Sequence, residues 1–119
     1  MQKLLSKLFL ESFWYEIEKL SEKKKITERD CQRVFVFCMR CFYPEKFTKM
    51  VSDSPGMSNS VGYDIIILSN TETFFIDLKT KKGKKENSQI ALQKEVEPYE
   101  FIEYYFLVCD IEKEIFYTV

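Results

Sequence analysis

Histidine is the most telling absence in this chain, since none occurs among its 119 residues. Without an imidazole, the Ser-His and Cys-His nucleophilic dyads are excluded, and so is the commonest general base. Any catalysis must therefore depend on carboxylates, lysine, tyrosine or a bound metal ion.

Long hydrophobic runs and an excess of one charge are also missing. No segment approaches the roughly 20 apolar residues that a membrane-spanning helix requires. The apolar start of the chain is interrupted by Lys7, is followed by Glu11 and has no small-residue cleavage site, so it does not fit a signal peptide. The formal net charge is −1, so a nucleic-acid-binding surface would have to be a local patch. We expect an intracellular, cytoplasmic protein with no membrane association.

The composition supports a real core, because hydrophobic residues make up 45% and aromatic residues 16% of the chain. A chain of this length predicts one domain. The sequence Cys38-Met39-Arg40-Cys41 spells C-x-x-C, but a structural zinc site needs a second pair or a histidine partner. We therefore expect Cys31, Cys38, Cys41 and Cys109 to be reduced, partly buried thiols.

The periodicity of apolar residues predicts an α/β fold with a mixed sheet flanked by helices. Thr27 is a good N-cap and Pro44 a helix terminator, so they bound the second helix. The predicted elements are a helix over 2–20, a helix from 27 to about 43, a strand over 47–51, a loop over 52–60, a hairpin of strands 62–69 and 73–80, a helix over 86–96, and strands over 104–109 and 114–118.

Charged residues inside the predicted hairpin are the chemical signal. Asp64 precedes the run Ile65–Leu68, and Asp77 and Lys79 end the next strand. Charges in buried strands are costly unless they are paired. Asp77 and Lys79 are two residues apart and so share one face of the sheet. Two carboxylates suit Mg²⁺ or Mn²⁺, and such an ion lowers the pKa of bound water. The pattern predicts a phosphodiester-cleaving metal site.

The residues around this pair form a longer motif. It comprises Gly62-x-Asp64, Asp77-x-Lys79-Thr80-x-x-Gly83 and Gln89, with Glu28 and Gln32 upstream. The motif resembles the VRR-NUC (virus-type replication-repair nuclease) domain of the PD-(D/E)xK superfamily, over about residues 27–110. Tyr63 replaces the family's usual proline, and Asp77 replaces its commoner glutamate.

The resemblance implies a restriction-endonuclease-like core over residues 27–119, with an extra N-terminal helix in residues 1–25. It implies a metal-dependent endonuclease of viral or phage type, acting in the host cell on DNA with junction-like or flap-like branches. Small family members of this kind act as homodimers. The two departures and the small size also allow a nuclease-like fold that binds DNA or inhibits without cutting.

Each candidate residue has a chemical role. Asp64 and Asp77 would bind the metal, and Glu28 would complete the shell directly or through water. Lys79 would hold the attacking water or offset charge on the phosphate, and Gln89 would bond the water or a phosphate oxygen. The alternatives are a surface ion pair for Asp77 and Lys79 and ordinary helix capping for Glu28.

Two further surfaces carry partner predictions. The segment from Lys79 to Lys85 holds five lysines in seven residues. Its members Lys81, Lys82, Lys84 and Lys85 are predicted to contact nucleic-acid phosphates, with a solvated loop as the alternative. In the first helix, an apolar stripe that includes Phe9, Phe13 and Ile17 predicts a contribution to a homodimer interface; the alternative is packing on the protein's own sheet.

Overall fold

The computed structural model describes residues 1, 3–53 and 61–119, except the side chain of residue 53. The elements follow the predicted order of helix, helix, strand, hairpin, helix, strand and strand. Their bounds are α1 Lys7–Ser21, α2 Glu28–Phe42, β1 Phe47–Met50, a 3₁₀ turn Val51–Asp53, β2 Ile65–Leu68, β3 Thr73–Lys79, α3 Asn87–Val96, β4 Ile102–Asp110 and β5 Ile115–Thr118. Most of the predicted loop 52–60 lies outside the described residues.

The five strands form one mixed sheet in the order β1-β2-β3-β4-β5. Neighbouring strands are antiparallel except β3 and β4, which run parallel and are connected through α3. The predicted mixed sheet flanked by helices is therefore confirmed. The continuous apolar run of β4 fits its place between β3 and β5, where residues 106–109 are buried.

One face of the sheet is covered by α1 and α2. The rings of Phe9 and Phe13 on α1 meet the ring of Phe35 on α2 in edge contacts, with centroids 5.4 and 6.4 Å apart. Alternate residues of β2 and β3, including Ile65 and Ile76, belong to the same buried cluster. The predicted N-terminal extension therefore supplies part of the main core.

The apolar stripe of α1 that was predicted to contribute to a homodimer interface is buried inside the single chain. Phe9, Phe13 and Ile17 are at most 2% exposed in the single chain. The apolar stripe of α1 is therefore covered by the protein's own fold, as the alternative interpretation held. A homodimer stays a prediction of the resemblance, without the exposed stripe that was expected to form its interface.

The cysteines are in the reduced form that the sequence predicts. All four cysteines are free thiols, and Cys41 alone among them is exposed. Burial raises the pKa of Cys38 to about 11, with the neighbouring Cys41 acting in the same direction. Among the described residues, no helix has the length and apolarity needed to cross a membrane.

Gly62 lies just before the β2–β3 hairpin and packs against the first turn of α3. Its φ of +87° lies in the left-handed region, and a Cβ atom built on it would be 2.6 Å from the carbonyl oxygen of Ser88. A side chain is therefore excluded by both the backbone conformation and the contact. Gly83, in the loop before α3, has no such restriction, because nothing lies within 4 Å of its Cβ position.

These two glycines make a matched pair of variants. We expect Gly62→Ala to lower the free energy of unfolding by about 1–3 kcal/mol, because alanine is strained at this φ and collides with helix backbone. Gly83→Ala should stay within about 0.5 kcal/mol of the wild type. Urea denaturation of both variants measures the difference, and an equal effect at the two positions would contradict the described contact.

Candidate active site

Asp77 is the buried centre of the site. It lies on β3, is 2% exposed, and projects to the face opposite the α1–α2 core. Gln89, in the first turn of α3, donates from Nε2 to Asp77 Oδ2 at 2.6 Å. The Oε1 atom of Gln89 accepts from the backbone N–H of Glu86 at 2.6 Å. Both ends of the Gln89 amide are thus fixed, so Gln89 orients the Asp77 carboxylate.

Asp64 is held beside Asp77 by the backbone of the neighbouring strand. Its Oδ2 atom accepts from the N–H of Leu78 at 2.9 Å. Its own N–H donates to the carbonyl of Ile76 at 2.9 Å, which extends the hairpin ladder by one residue. The neighbouring Asp64 carboxylate acts on Asp77 through hydrogen bonding and through its charge, and both effects raise the pKa of Asp77. Hairpin register therefore brings together two acidic residues that are distant in sequence.

Lys79 supplies the positive charge of the cluster. Its Nζ atom lies 3.7 Å from Asp77 Oδ1 and 3.9 Å from Glu28 Oε2. Burial disfavours the charged form, but Asp77, Asp64 and Glu28 outweigh burial and raise the pKa of Lys79. The lysine is therefore an ammonium ion at neutral pH, and its side chain remains 28% exposed.

Two side chains at the beginning of α2 form hydrogen bonds with the backbone at the end of β3. Glu28 Oε1 accepts from the N–H of Thr80 at 3.1 Å, and Gln32 Nε2 donates to the carbonyl of Leu78 at 3.2 Å. The capping box of α2 is made by Thr27 and Asp30. Glu28 is therefore not part of that cap, and it reaches across to the site instead.

These residues open onto one cleft of about 340 Å³. That volume has room for a hydrated cation and a phosphate group. The cleft is lined by Glu28, Arg29, Gln32, Val51, Ser52, Gly62, Tyr63, Asp64, Asp77, Lys79, Glu86, Ser88 and Gln89. Tyr63, where the family pattern has proline, packs its ring 4.7 Å from the ring of Phe75. All five residues predicted to be catalytic thus meet in one place.

The pair Asp64 and Asp77 fits a hard divalent cation. Burial, followed by the neighbouring Asp64 carboxylate, raises the pKa of Asp77 to about 8, while Lys79 opposes the shift. A cation held between two such carboxylates would replace the proton and remove their repulsion. In the described part of the chain, no three acidic or cysteine side chains converge as a ready-made cage. Glu28, bonded to Thr80, therefore fits a contact through water better than direct ligation.

Sequence reasoning missed Tyr104. This residue of β4 lies beside Phe75 in the parallel register and shares the sheet face of Asp77. Its buried hydroxyl has no hydrogen-bond partner among the described residues. Burial raises the pKa of Tyr104, and the charges of Asp77 and Asp64 act in the same direction. Only the register of the parallel pair could have placed this residue near the site.

The predicted phosphate-binding lysines do not line the cleft. Lys85 donates to Gln93 Oε1 at 3.1 Å and lies 5.8 Å from the ring centroid of Phe106. Lys84 is exposed on the loop, and Lys81 and Lys82 line a separate groove. In the described part of the chain, the basic side chains that line the cleft are Lys79 and Arg29.

The raised pKa of Asp77 predicts a pH dependence of stability in metal-free buffer. In the folded chain the Asp77 carboxyl group keeps its proton up to about pH 8. In the unfolded chain it releases the proton at about pH 3.9. The folded state therefore binds more protons in this window, and its stability falls as the pH rises through it. With EDTA present, the free energy of unfolding should fall less between pH 5 and 8 in Asp77→Asn than in the wild type, by at least about 1 kcal/mol, because one pKa unit is about 1.4 kcal/mol.

Denaturation at each pH measures this difference. Asp110→Asn is the control, since Asp110 is the half-buried last residue of β4 and its carboxylate accepts from the N–H of Lys113 at 3.1 Å. Parallel pH profiles for the wild type and Asp77→Asn would contradict the assigned environment of Asp77.

Because the Tyr104 hydroxyl has no hydrogen-bond partner among the described residues, we expect that removing it does not lower the stability of the fold. Tyr104→Phe should leave the free energy of unfolding unchanged or raise it by up to about 1 kcal/mol. Tyr43→Phe is the matched control, because the Tyr43 hydroxyl donates to the carbonyl of Leu4 at 2.9 Å. The control should lose about 1 kcal/mol. Urea denaturation that finds the larger loss for Tyr104→Phe would show that its hydroxyl is paired.

The chain was also compared with known proteins. Neither the protein-family models, nor the curated proteins, nor the solved structures contain a match to it. The functional conclusion therefore depends on the geometry of the cleft and the chemistry of its residues.

Proposed function

We propose that this protein is a metal-dependent nuclease that hydrolyses phosphodiester bonds of DNA. The observation that carries the proposal is the meeting of Asp64, Asp77 and Lys79 in one cleft. Two acidic side chains that become fully anionic when a cation replaces the proton of Asp77, with an adjacent ammonium ion, match the charges of a hydrated divalent cation and a phosphate diester. The absence of histidine from the whole chain favours metal-assisted over imidazole-based hydrolysis.

Asp64 and Asp77 would hold Mg²⁺ or Mn²⁺. When bound, such an ion supplies an activated water and stabilises charge on the phosphoryl oxygens. The residues of the chain prepare the site for it. The Leu78 N–H fixes Asp64, and Gln89 fixes Asp77, so both carboxylates are oriented before the ion arrives. Such pre-organisation avoids rearrangement during the reaction.

Lys79 would neutralise charge on the phosphate in the transition state. Its raised pKa keeps it protonated at neutral pH, so it acts as an electrostatic group and not as the base. Glu28 lies 3.9 Å from its ammonium and holds the N–H of Thr80. Glu28 therefore positions both the lysine and the end of β3, and a water on Glu28 would face the cleft.

We further propose that the core is restriction-endonuclease-like. The arrangement that supports it is an antiparallel hairpin bearing the acidic residues, followed by α3 and a strand parallel to β3. The position of Glu28 on the preceding helix supports it as well. Branched DNA as substrate and a homodimeric enzyme are proposed on the resemblance of the motif to VRR-NUC domains.

A direct test is cleavage of supercoiled plasmid and of duplex, flap and four-way DNA in Mg²⁺, Mn²⁺ or EDTA. We expect cutting only with a divalent ion. Asp77→Asn and Lys79→Met should each lower the rate about 100-fold or more, because each removes a group that acts on transition-state charge. The matched controls are Glu95→Gln and Lys94→Met, on the exposed side of α3, and these should retain the wild-type rate.

Equal rates in the wild type, Asp77→Asn and Lys79→Met would refute this site. Calorimetric titration with Mn²⁺ distinguishes the alternative, a nuclease-like fold that binds DNA without cutting. The active-site proposal requires metal binding that Asp77→Asn abolishes. DNA binding without metal binding, unchanged in Asp64→Ala, would instead support the binding protein.

A further inference from the structure

A second groove, of about 700 Å³, is lined by Thr80, the residue that follows Lys79 of the cleft. It lies between the α1–α2 connection, the loop that follows β3, and the end of β4. Its basic members are Lys24 and Lys25 from the first segment and Lys81 and Lys82 from the second. We call this surface, defined by these four lysines, the lysine groove.

The lysine groove carries a net positive charge in a chain whose net charge is −1. Two acidic residues, Asp110 and Glu112, line it as well. Lys24 is already engaged, since its Nζ atom lies 3.0 Å from Asp30 Oδ2. Lys25, Lys81 and Lys82 are exposed, and none of them forms a salt bridge with the described residues. These three ammonium groups are therefore available to an external anion.

The two surfaces are joined at consecutive residues. Lys79 lines the cleft, and Thr80 lines the lysine groove. The bond from the Thr80 N–H to Glu28 fixes this junction to α2. Along one DNA strand the phosphates repeat every 3.4 Å or so of helix axis. A strand with its scissile phosphate at Lys79 would thus carry further phosphates past Lys81 and Lys82.

We propose that the lysine groove binds the DNA phosphate backbone that flanks the cleaved bond. This inference rests on the proposed nuclease function. It adds Lys25, from a charge run that follows the first helix, to a DNA-binding surface otherwise formed by Lys81 and Lys82. Lys85 is not part of this surface, because it is bonded to Gln93. The concave shape, and the adjacency of Thr80 in the groove to Lys79 in the cleft, favour a nucleic-acid strand over a flat anionic membrane.

Fluorescence anisotropy with a labelled DNA duplex in EDTA, at several salt concentrations, tests the proposal. The groove variant is Lys25→Gln/Lys81→Gln/Lys82→Gln. The control, Lys3→Gln/Lys7→Gln/Lys94→Gln, removes the same charge from exposed positions elsewhere. The groove variant should bind about tenfold or more weakly, and its log–log salt slope should be shallower by about 2 to 3, because each lost phosphate contact contributes about 0.9. The control should match the wild type within about twofold.

The outcomes separate this inference from the nuclease proposal. A wild type that binds and cleaves, with a groove variant of unchanged affinity and salt slope, would overturn the lysine groove alone. Equal losses in the groove variant and the control would also overturn it, since the effect would be one of total charge. A wild type that neither binds nor cleaves DNA would overturn the nuclease proposal and the groove together. Unchanged thermal unfolding of both triple variants excludes misfolding as the cause.

Discussion

The close approach of Asp64 and Asp77 is the interaction on which the rest of the site depends. Two carboxylates side by side in a buried place repel each other and lose solvation. The fold holds them together with hydrogen-bond donors from the backbone and from a side chain. The Leu78 N–H bonds a side chain instead of another strand, and Gln89 donates its only amide group to Asp77. The result is a locally unfavourable arrangement that a cation or a proton relieves.

The surrounding elements oppose the separation of these carboxylates. The aromatic core under α1 and α2 packs against one face of β3, while Glu28 and Gln32 of α2 bond the backbone at the end of this strand. The Lys79 ammonium lies 3.7 Å from Asp77 Oδ1, and its positive charge offsets part of the repulsion between the two carboxylates. Packing far from the cleft therefore affects the charges within it, because a movement of β3 would let the two carboxylates separate.

Much of this arrangement could be predicted from the sequence because it depends on local patterns. Apolar periodicity located the helices and strands, and charges in otherwise apolar strands identified Asp64, Asp77 and Lys79. The partner of Gln89 could not be predicted, since it depends on how α3 docks against β3. The place of Tyr104 could not be predicted either, since it depends on the parallel pairing of β3 with β4. The stripe of α1 was ambiguous for a similar reason: periodicity shows that a face is apolar, and only tertiary packing shows what covers it.

The connection of β3 to β4 through α3 has a consequence during synthesis. The central strand β3 emerges from the ribosome well before its parallel neighbour β4, so one of its edges is at first without a partner. The helix that bears Gln89 packs against β4, and so part of its docking surface is missing until that strand has been made. A nascent chain thus carries both aspartates without the amide that orients one of them. The carboxylate pair is therefore fully oriented only after β4 has been made.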